Sequence, residues 1–166
     1  MQKSYLLLGS NLGDKNHNLL KARTLIQSKE ITLVRESAIY KTSPWGFDAD
    51  EDFLNQVVEI ATELDPMKLL NRLLEIEKQV GRKRKEIAGY QSRILDVDIL
   101  FFGSQVINTP KIIIPHPRLH LRRFTLVPMN ELAPDLMHPV LNKTIAQLLA
   151  ECDDNMKVVR IFTSTK

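Results

Sequence analysis

Asp96 and Asp98 stand in "SRILDVDILFFG" (Ser92 to Gly103), a run otherwise apolar enough to lie inside a protein. In an extended chain, side chains alternate between faces, so the two aspartates project together while Leu95, Val97, Ile99 and Phe101 share the other face. Their Cα atoms would lie roughly 6.6 Å apart, near enough for the carboxylates to raise each other's pKa or to converge on cations. Hard oxygen donors of this kind suit magnesium, which takes one or two protein carboxylates and leaves its remaining positions to water and substrate phosphates. A pair on one strand fits a clamp of two metal ions on a phosphate chain. An ordinary surface D-x-D would be solvated at a sheet edge. Continuous apolar sequence around this one instead places it on a central strand, solvated by a cleft or a ligand.

Basic residues bracket that strand. "GRKRK" supplies Arg82, Lys83, Arg84 and Lys85; Arg93 precedes the aspartates; "RLHLRR" supplies Arg118, Arg122 and Arg123. Lysines in such a run are as readily a solvated loop. Arg82 and Arg93, however, close the two ends of a loop beside the aspartates, and guanidinium groups bind phosphate oxygens in a planar, bidentate manner. Carboxylate-held magnesium on one side and arginines on the other supply most of what phosphoryl transfer demands. No G-x-x-x-x-G-K-[ST] sequence occurs, which excludes a P-loop enzyme. His116 sits between two prolines in a rigid turn, as a ligand or as a structural histidine. Trp45, Phe53, Tyr90 and Phe124 fall in loops or at element ends, where two of them could stack on a flat heterocycle. Asn55, two residues after Phe53 on the same strand face, offers such a ring both a donor and an acceptor.

These residues must be positioned by elements legible in the pattern. "SYLLLGSNLGD" reads as a strand and a tight turn, with Asp14 capping a helix from about Lys15 to Ser28 that buries Leu19, Ala22, Leu25 and Ile26. Ile31–Thr42 and Asp52–Leu64 are rich in β-branched residues and read as strands, with the loop "SPWGFDADE" between them. Asp65, Pro66 and Gly81 mark the ends of a helix whose Leu69, Leu70, Leu73, Ile76 and Val80 face inward. With the aspartate strand this makes β-α-β-β-α-β, an α+β ferredoxin-like antiparallel sheet with both helices on one face. The proline-punctuated remainder predicts a short strand at Lys111–Ile114, an irregular or short helical segment, and a helix near Thr144–Glu151.

At 166 residues the chain suggests one domain spanning residues 1–166. Hydrophobic residues at 43% and charged residues at 26% argue against disorder. No stretch approaches the roughly 20 apolar residues of a membrane helix, and Tyr5–Leu8 is too short for a signal-peptide core. A single cysteine, Cys152, excludes an intrachain disulfide and fits the cytoplasm. The net charge of +3 says little when averaged over the surface; the placement of the basic residues says more.

"LLLGSNLGD", "YKTSPWGF", "DFLNQVVEI", "LLEIEKQVGRKR", "SRILDVDILFFG" and "IPHPRLHLRRFTLVPMNELAPD" follow one another in an order that resembles the 6-hydroxymethyl-7,8-dihydropterin pyrophosphokinases, from about residue 5 to residue 136. The resemblance implies transfer of diphosphate from ATP to the pterin hydroxymethyl group, with AMP released, in folate biosynthesis. It implies that Asp96 and Asp98 hold two magnesium ions and that Arg82, Arg93, His116 and Arg122 hold the ATP phosphates. Phe53 and Phe124 would sandwich the pterin, Asn55 would hydrogen-bond it, and Thr42 and Trp45 would offer main-chain groups. Glu77 and Lys111 fall near the nucleotide's sugar, and Arg84 lies in the phosphate-binding loop. "EIAGYQSR" departs from the family pattern, with Tyr90 where many members carry a tryptophan. The implied partners are small molecules, with neither nucleic acid nor membrane, and the implied state is a monomer. Two other classes would use the same residues: an RNA-binding sheet with Phe53 and Phe124 stacking bases, disfavoured by central acidic groups, and a metal-dependent phosphate hydrolase.

Overall fold

Capping chemistry sets the first helix. Asp14 accepts the His17 N–H at 3.0 Å, and after strand β1 (Gln2–Ser10) the chain enters α1 (Lys15–Ile26), with Leu19, Ala22 and Ile26 buried. This computed structural model describes residues 1–43, 51–81 and 93–162. Next come β2 (Ile31–Glu36), β3 (Ile39–Thr42) and β4 (Phe53–Thr62). Helix α2 (Pro66–Val80) has the expected ends: Asp65 accepts the Lys68 N–H, Pro66 opens the helix, and Gly81 closes it at φ 122°. Strand β5 (Asp96–Phe102) carries the aspartates. A small hairpin, β6 (Ile107–Asn108) and β7 (Ile113–Ile114), leads through a 3-10 turn to α3 (Arg123–Leu132), α4 (Ile145–Glu151) and β8 (Val158–Ile161). None of the described helices is long and apolar enough to cross a membrane.

The main sheet runs β5-β1-β4-β3-β8, with β2 also paired to β4, and all its pairings are antiparallel. Helices α1 and α2 cover one face, where Leu6, Leu8, Leu54, Val58 and Ile60 meet Leu19, Leu69, Leu73 and Ile76. The βαββαβ expectation holds. On the opposite face Tyr5, Leu7 and Val57 pack against Leu126, Met129 and Leu132 of α3 and Leu148 of α4. The segment read as too rich in proline for a long helix therefore forms a ten-residue one with Pro128 inside it. Pro128 lacks one N–H, but Thr125, Leu126, Met129 and Leu132 are buried around it, and that burial outweighs the lost hydrogen bond.

Three expectations need correction. The aspartate strand is not central: among the described residues β5 pairs with β1 alone and forms the sheet margin. Its outer edge is covered instead, by the segment in which the His116 N–H reaches the Leu100 carbonyl at 3.0 Å. Phe101 does not share a face with Val97 and Ile99. The ladder pairs Leu6 with Ile99 but Tyr5 with Phe101, so Leu100 is an inserted residue and the alternation inverts there. Val97 and Ile99 consequently face the helices, while Phe101 joins the opposite core. Finally, Ile31–Thr42 is two strands, interrupted where the Ser37 hydroxyl accepts the Val57 N–H and donates to the Ala38 carbonyl. Strand β8, which nothing in the C-terminal residues announced, pairs with β3 from Ile39 to Thr42.

Candidate active site

Asp96 lies opposite Gly9 on β1, and Gly9 lies opposite Asn55 on β4. One line across the open face of the sheet thus reads Asp96, Gly9, Asn55. A side chain at Gly9 would crowd the middle of it, because a Cβ there would sit 3.2 Å from Asn55 Oδ1. The missing side chain leaves a shallow floor between acid and amide. Asn55 is buried and donates to the Thr42 hydroxyl at 3.0 Å, which orients its amide. Phe53, two residues earlier on β4, is half-buried on the same face. Thr42, Phe53 and Asn55 are therefore brought together on one face.

The aspartates are held from three directions. Arg93 donates to Asp96 Oδ1 at 2.8 Å. His116 Nε2 stands 3.9 Å from Asp98 Oδ2. Its Nδ1 accepts the Arg118 N–H at 3.1 Å, which assigns the proton to Nε2, the nitrogen facing the acid. Burial pushes the His116 pKa below the ordinary histidine range; Asp96 opposes that and Arg118 adds to it. Behind the strand Glu77 of α2, 2% exposed, accepts the N–H of Val97 at 2.8 Å, between the two acids. Asp96 and Asp98 themselves keep 27% and 33% of their side-chain surface open.

Residues read only as a turn fasten Arg93. Asn11, fully buried, accepts the Arg93 N–H at 2.6 Å and donates its own N–H to the Arg93 carbonyl at 3.0 Å. Ser10 donates to the Ile94 carbonyl, and the Asn18 amide bonds Ser10 Oγ, the Leu12 carbonyl and the Ile94 carbonyl. "GSN" offers no local signal for this role, since its partner is more than eighty residues away.

A cleft of about 290 Å³ opens beside Asp98, lined by Leu70 of α2, Val97 and Ile99 of β5, Thr109 to Ile113, His116 and Pro117. Lys111 is at this cleft, whereas Glu77 is the buried support of Val97 and does not line it. On the other side, α3 packs on β4 and β3 and begins with Arg122 and Phe124, the guanidinium carbon 5.6 Å from the ring centroid. Burial lowers the Arg122 pKa to about 10, which leaves it cationic at neutral pH. Trp45, Arg82, Arg84 and Tyr90 lie outside the described residues.

Among the described residues no three His, Cys, Asp or Glu side chains cluster closely enough to hold a metal by themselves. Two half-open carboxylates are nonetheless the donor set magnesium uses when phosphate oxygens and water complete its shell. The residues present fit that ion as a partner of a phosphate-bearing substrate.

Residues 5–134 match the model of the 7,8-dihydro-6-hydroxymethylpterin-pyrophosphokinase (HPPK) family. Similar chains include the 2-amino-4-hydroxy-6-hydroxymethyldihydropteridine pyrophosphokinases of Methylorubrum extorquens and Aquifex aeolicus. The first is 41% identical over 155 residues, covering 92% of this chain and 95% of the relative. The second is 36% identical over 151 residues, covering 91% and 92%. A solved Plasmodium falciparum HPPK-DHPS structure with pteroate superposes with a TM-score of 0.72 at 18% identity, which speaks to the fold alone. The match covers 90% of this chain and 42% of that longer one. The chain belongs to the 7,8-dihydro-6-hydroxymethylpterin-pyrophosphokinase family.

Proposed function

We propose that this chain transfers a diphosphate from ATP to the hydroxymethyl group of 6-hydroxymethyl-7,8-dihydropterin, releasing AMP, and that the open face of the sheet is where it does so. Family membership makes it a transferase of folate biosynthesis. The observation that carries the placement is the line Asp96, Gly9, Asn55, with Arg93 and His116 at its acidic end and the cleft beyond Asp98.

The nucleotide base and sugar fit the cleft, whose Leu70, Val97 and Ile99 offer apolar contact and whose Lys111 lies at the exposed margin. Its phosphates would then run past His116 toward Arg93, which already contacts Asp96, and on to Arg122 at the start of α3. Neutral His116 keeps an N–H toward Asp98 and so can donate to a phosphate oxygen without adding a charge. The pterin ring would lie over Phe53, with Asn55 reading its polar edge and Phe124 of α3 closing it from above. Its hydroxymethyl group would point along Gly9 toward the acids, in line with the β-phosphorus.

Asp96 and Asp98 would hold magnesium, two ions in this reading. Bound there, magnesium neutralises polyphosphate charge and lowers the pKa of an oxygen it coordinates. Because Arg93 is pinned by Asn11 and its guanidinium by Asp96, its charge is preorganised rather than recruited during the reaction.

The test is AMP formation from ATP and the pterin with Asp96→Asn and Asp98→Asn. Removing a metal-held charge should cost several kcal/mol of barrier, roughly a 10²–10³-fold loss of turnover. Turnover within a few-fold of the parent in either variant, with the fold intact, would end this assignment. Release of inorganic phosphate in place of AMP would convert it to a hydrolase.

A further inference from the structure

Helix α3 brings Arg122 and Phe124 to the site, yet its own sequence does not cap it. Arg122 occupies the N-cap and makes no side-chain bond to the first turn, and no Ser, Thr, Asp or Asn stands between Arg118 and Arg122 to take its place. Thr125 and Leu126 donate to the Arg122 carbonyl. The Arg123 N–H precedes them and has no helical acceptor. Its partner comes from the C-terminal segment, where Asp154 Oδ2 accepts it at 2.9 Å. The other carboxylate oxygen, Oδ1, accepts the Met156 N–H at 3.0 Å. Both oxygens are therefore committed to backbone donors, one on the helix and one on the segment that carries the acid.

That segment continues directly into β8, which pairs with β3 through Thr42. Thr42 in turn receives the Asn55 amide. A short strap, residues 154–161, thus ties the start of α3 to β3, one of the two strands that the helix packs on. Glu131 reinforces the connection: it accepts the Tyr40 hydroxyl at 2.8 Å and the Ala38 N–H at 3.1 Å, and lies 3.7 Å from Arg160 of β8. The strap stands beyond residue 134, where the family match ends.

We propose that Asp154 is a positioning residue: as the external cap of α3 it holds Arg122 and Phe124 against the β3–β4 wall, and so sets substrate affinity without touching substrate. This rests on the placement of the substrates on the open face given above. When the cap is lost, the first turn of α3 opens and must reform before binding, so apparent affinity falls by the fraction of closed molecules. A carboxylate also suits the positive end of the helix.

The experiment compares Asp154→Ala, Asp154→Asn and Asp153→Ala in the whole chain, by steady-state kinetics and by amide exchange at Arg123. For Asp154→Ala we expect KM for the pterin to rise about 3- to 30-fold, kcat to stay within about twofold, and the Arg123 amide to exchange faster. Asp154→Asn keeps an acceptor for Arg123 and should recover KM to within about threefold of the parent. Asp153→Ala, on the exposed neighbour, should change neither. Unchanged KM and exchange in Asp154→Ala overturns the proposal, as does failure of asparagine to rescue. If the alanine variant does not fold, Asp154→Glu, which displaces the oxygens by a methylene, is expected to show the same split, and unaltered affinity there overturns it. Exchange is read without substrate, so a parent chain that binds neither ATP nor pterin would sink the proposed function while the cap is still decided.

Discussion

The face of the sheet that α3 and α4 partly cover carries acid in two places. On β4, Glu59 is almost fully enclosed and ringed by donors: Arg35 through two nitrogens, Lys3 at 3.1 Å and the Tyr5 hydroxyl at 3.3 Å. On β5, Asp96 meets Arg93, and Asp98 faces a neutral histidine at 3.9 Å and a cleft. Both regions put carboxylates on the same side of the same sheet. What separates them is how far the protein itself completes their coordination. Glu59 is closed over by its own neighbours and serves the fold; Asp96 and Asp98 keep exposed surface beside a cleft sized for a ligand.

Substitution should pull the two regions apart. Asp96→Asn and Asp98→Asn head the series, with turnover falling roughly 10²–10³-fold; the thermal midpoint of Asp98→Asn should stay level or rise, because two neighbouring like charges have been relieved, whereas Asp96→Asn also gives up its pair with Arg93. Next is Glu59→Ala, which should leave kcat near the parent value but destabilise the chain by about 2 kcal/mol in urea unfolding. That is less than the loss of a fully buried ion pair, since Lys3 and Arg35 reach solvent. Glu77→Ala sharpens the contrast from behind the strand: it strands the Val97 N–H, which should cost about 1–3 kcal/mol and lower kcat as well, since Val97 sits between the acids. Glu77→Gln, which still offers an acceptor, should recover most of both.

The smallest effect is in pH. Burial works to raise the Glu59 pKa, but the hydrogen bonds from Arg35 and Lys3 outweigh it and hold the carboxyl below its usual range. A carboxyl depressed in the folded state stabilises above the unfolded value of about 4.3 and loses that contribution as pH falls through the folded value. Urea midpoints measured between about pH 3 and 6 should therefore fall toward the acid end in the parent and fall less steeply in Glu59→Gln.

Much of the scaffold was legible because its signals are local. Asp65, Pro66 and Gly81 sit at the two ends of α2 and satisfy its own backbone, so the helix could be bounded without knowing what it packs on. The shared face of Asp96 and Asp98 follows from strand periodicity and survives in the structure. The face of Phe101 does not, because one inserted residue at Leu100 inverts the alternation, and that insertion exists only against β1. The position of β5 in the sheet was likewise misread. Apolar sequence on both sides of the acids implies cover, but not whether a strand or the 113–117 segment supplies it. Helix α3 was undervalued for Pro128, whose cost is local and visible, while the compensating burial against β4 is neither.

By itself, then, the order of residues determined two capped helices and the pairing of two acids on one face, since each depends on neighbours within a turn or a pleat. Tertiary structure alone decided that Gly9 lies between Asp96 and Asn55, that Asn11 fastens Arg93 and that Asp154 caps α3. Those contacts join segments tens of residues apart, and hydrogen bonds of that kind have no periodicity for a sequence to display.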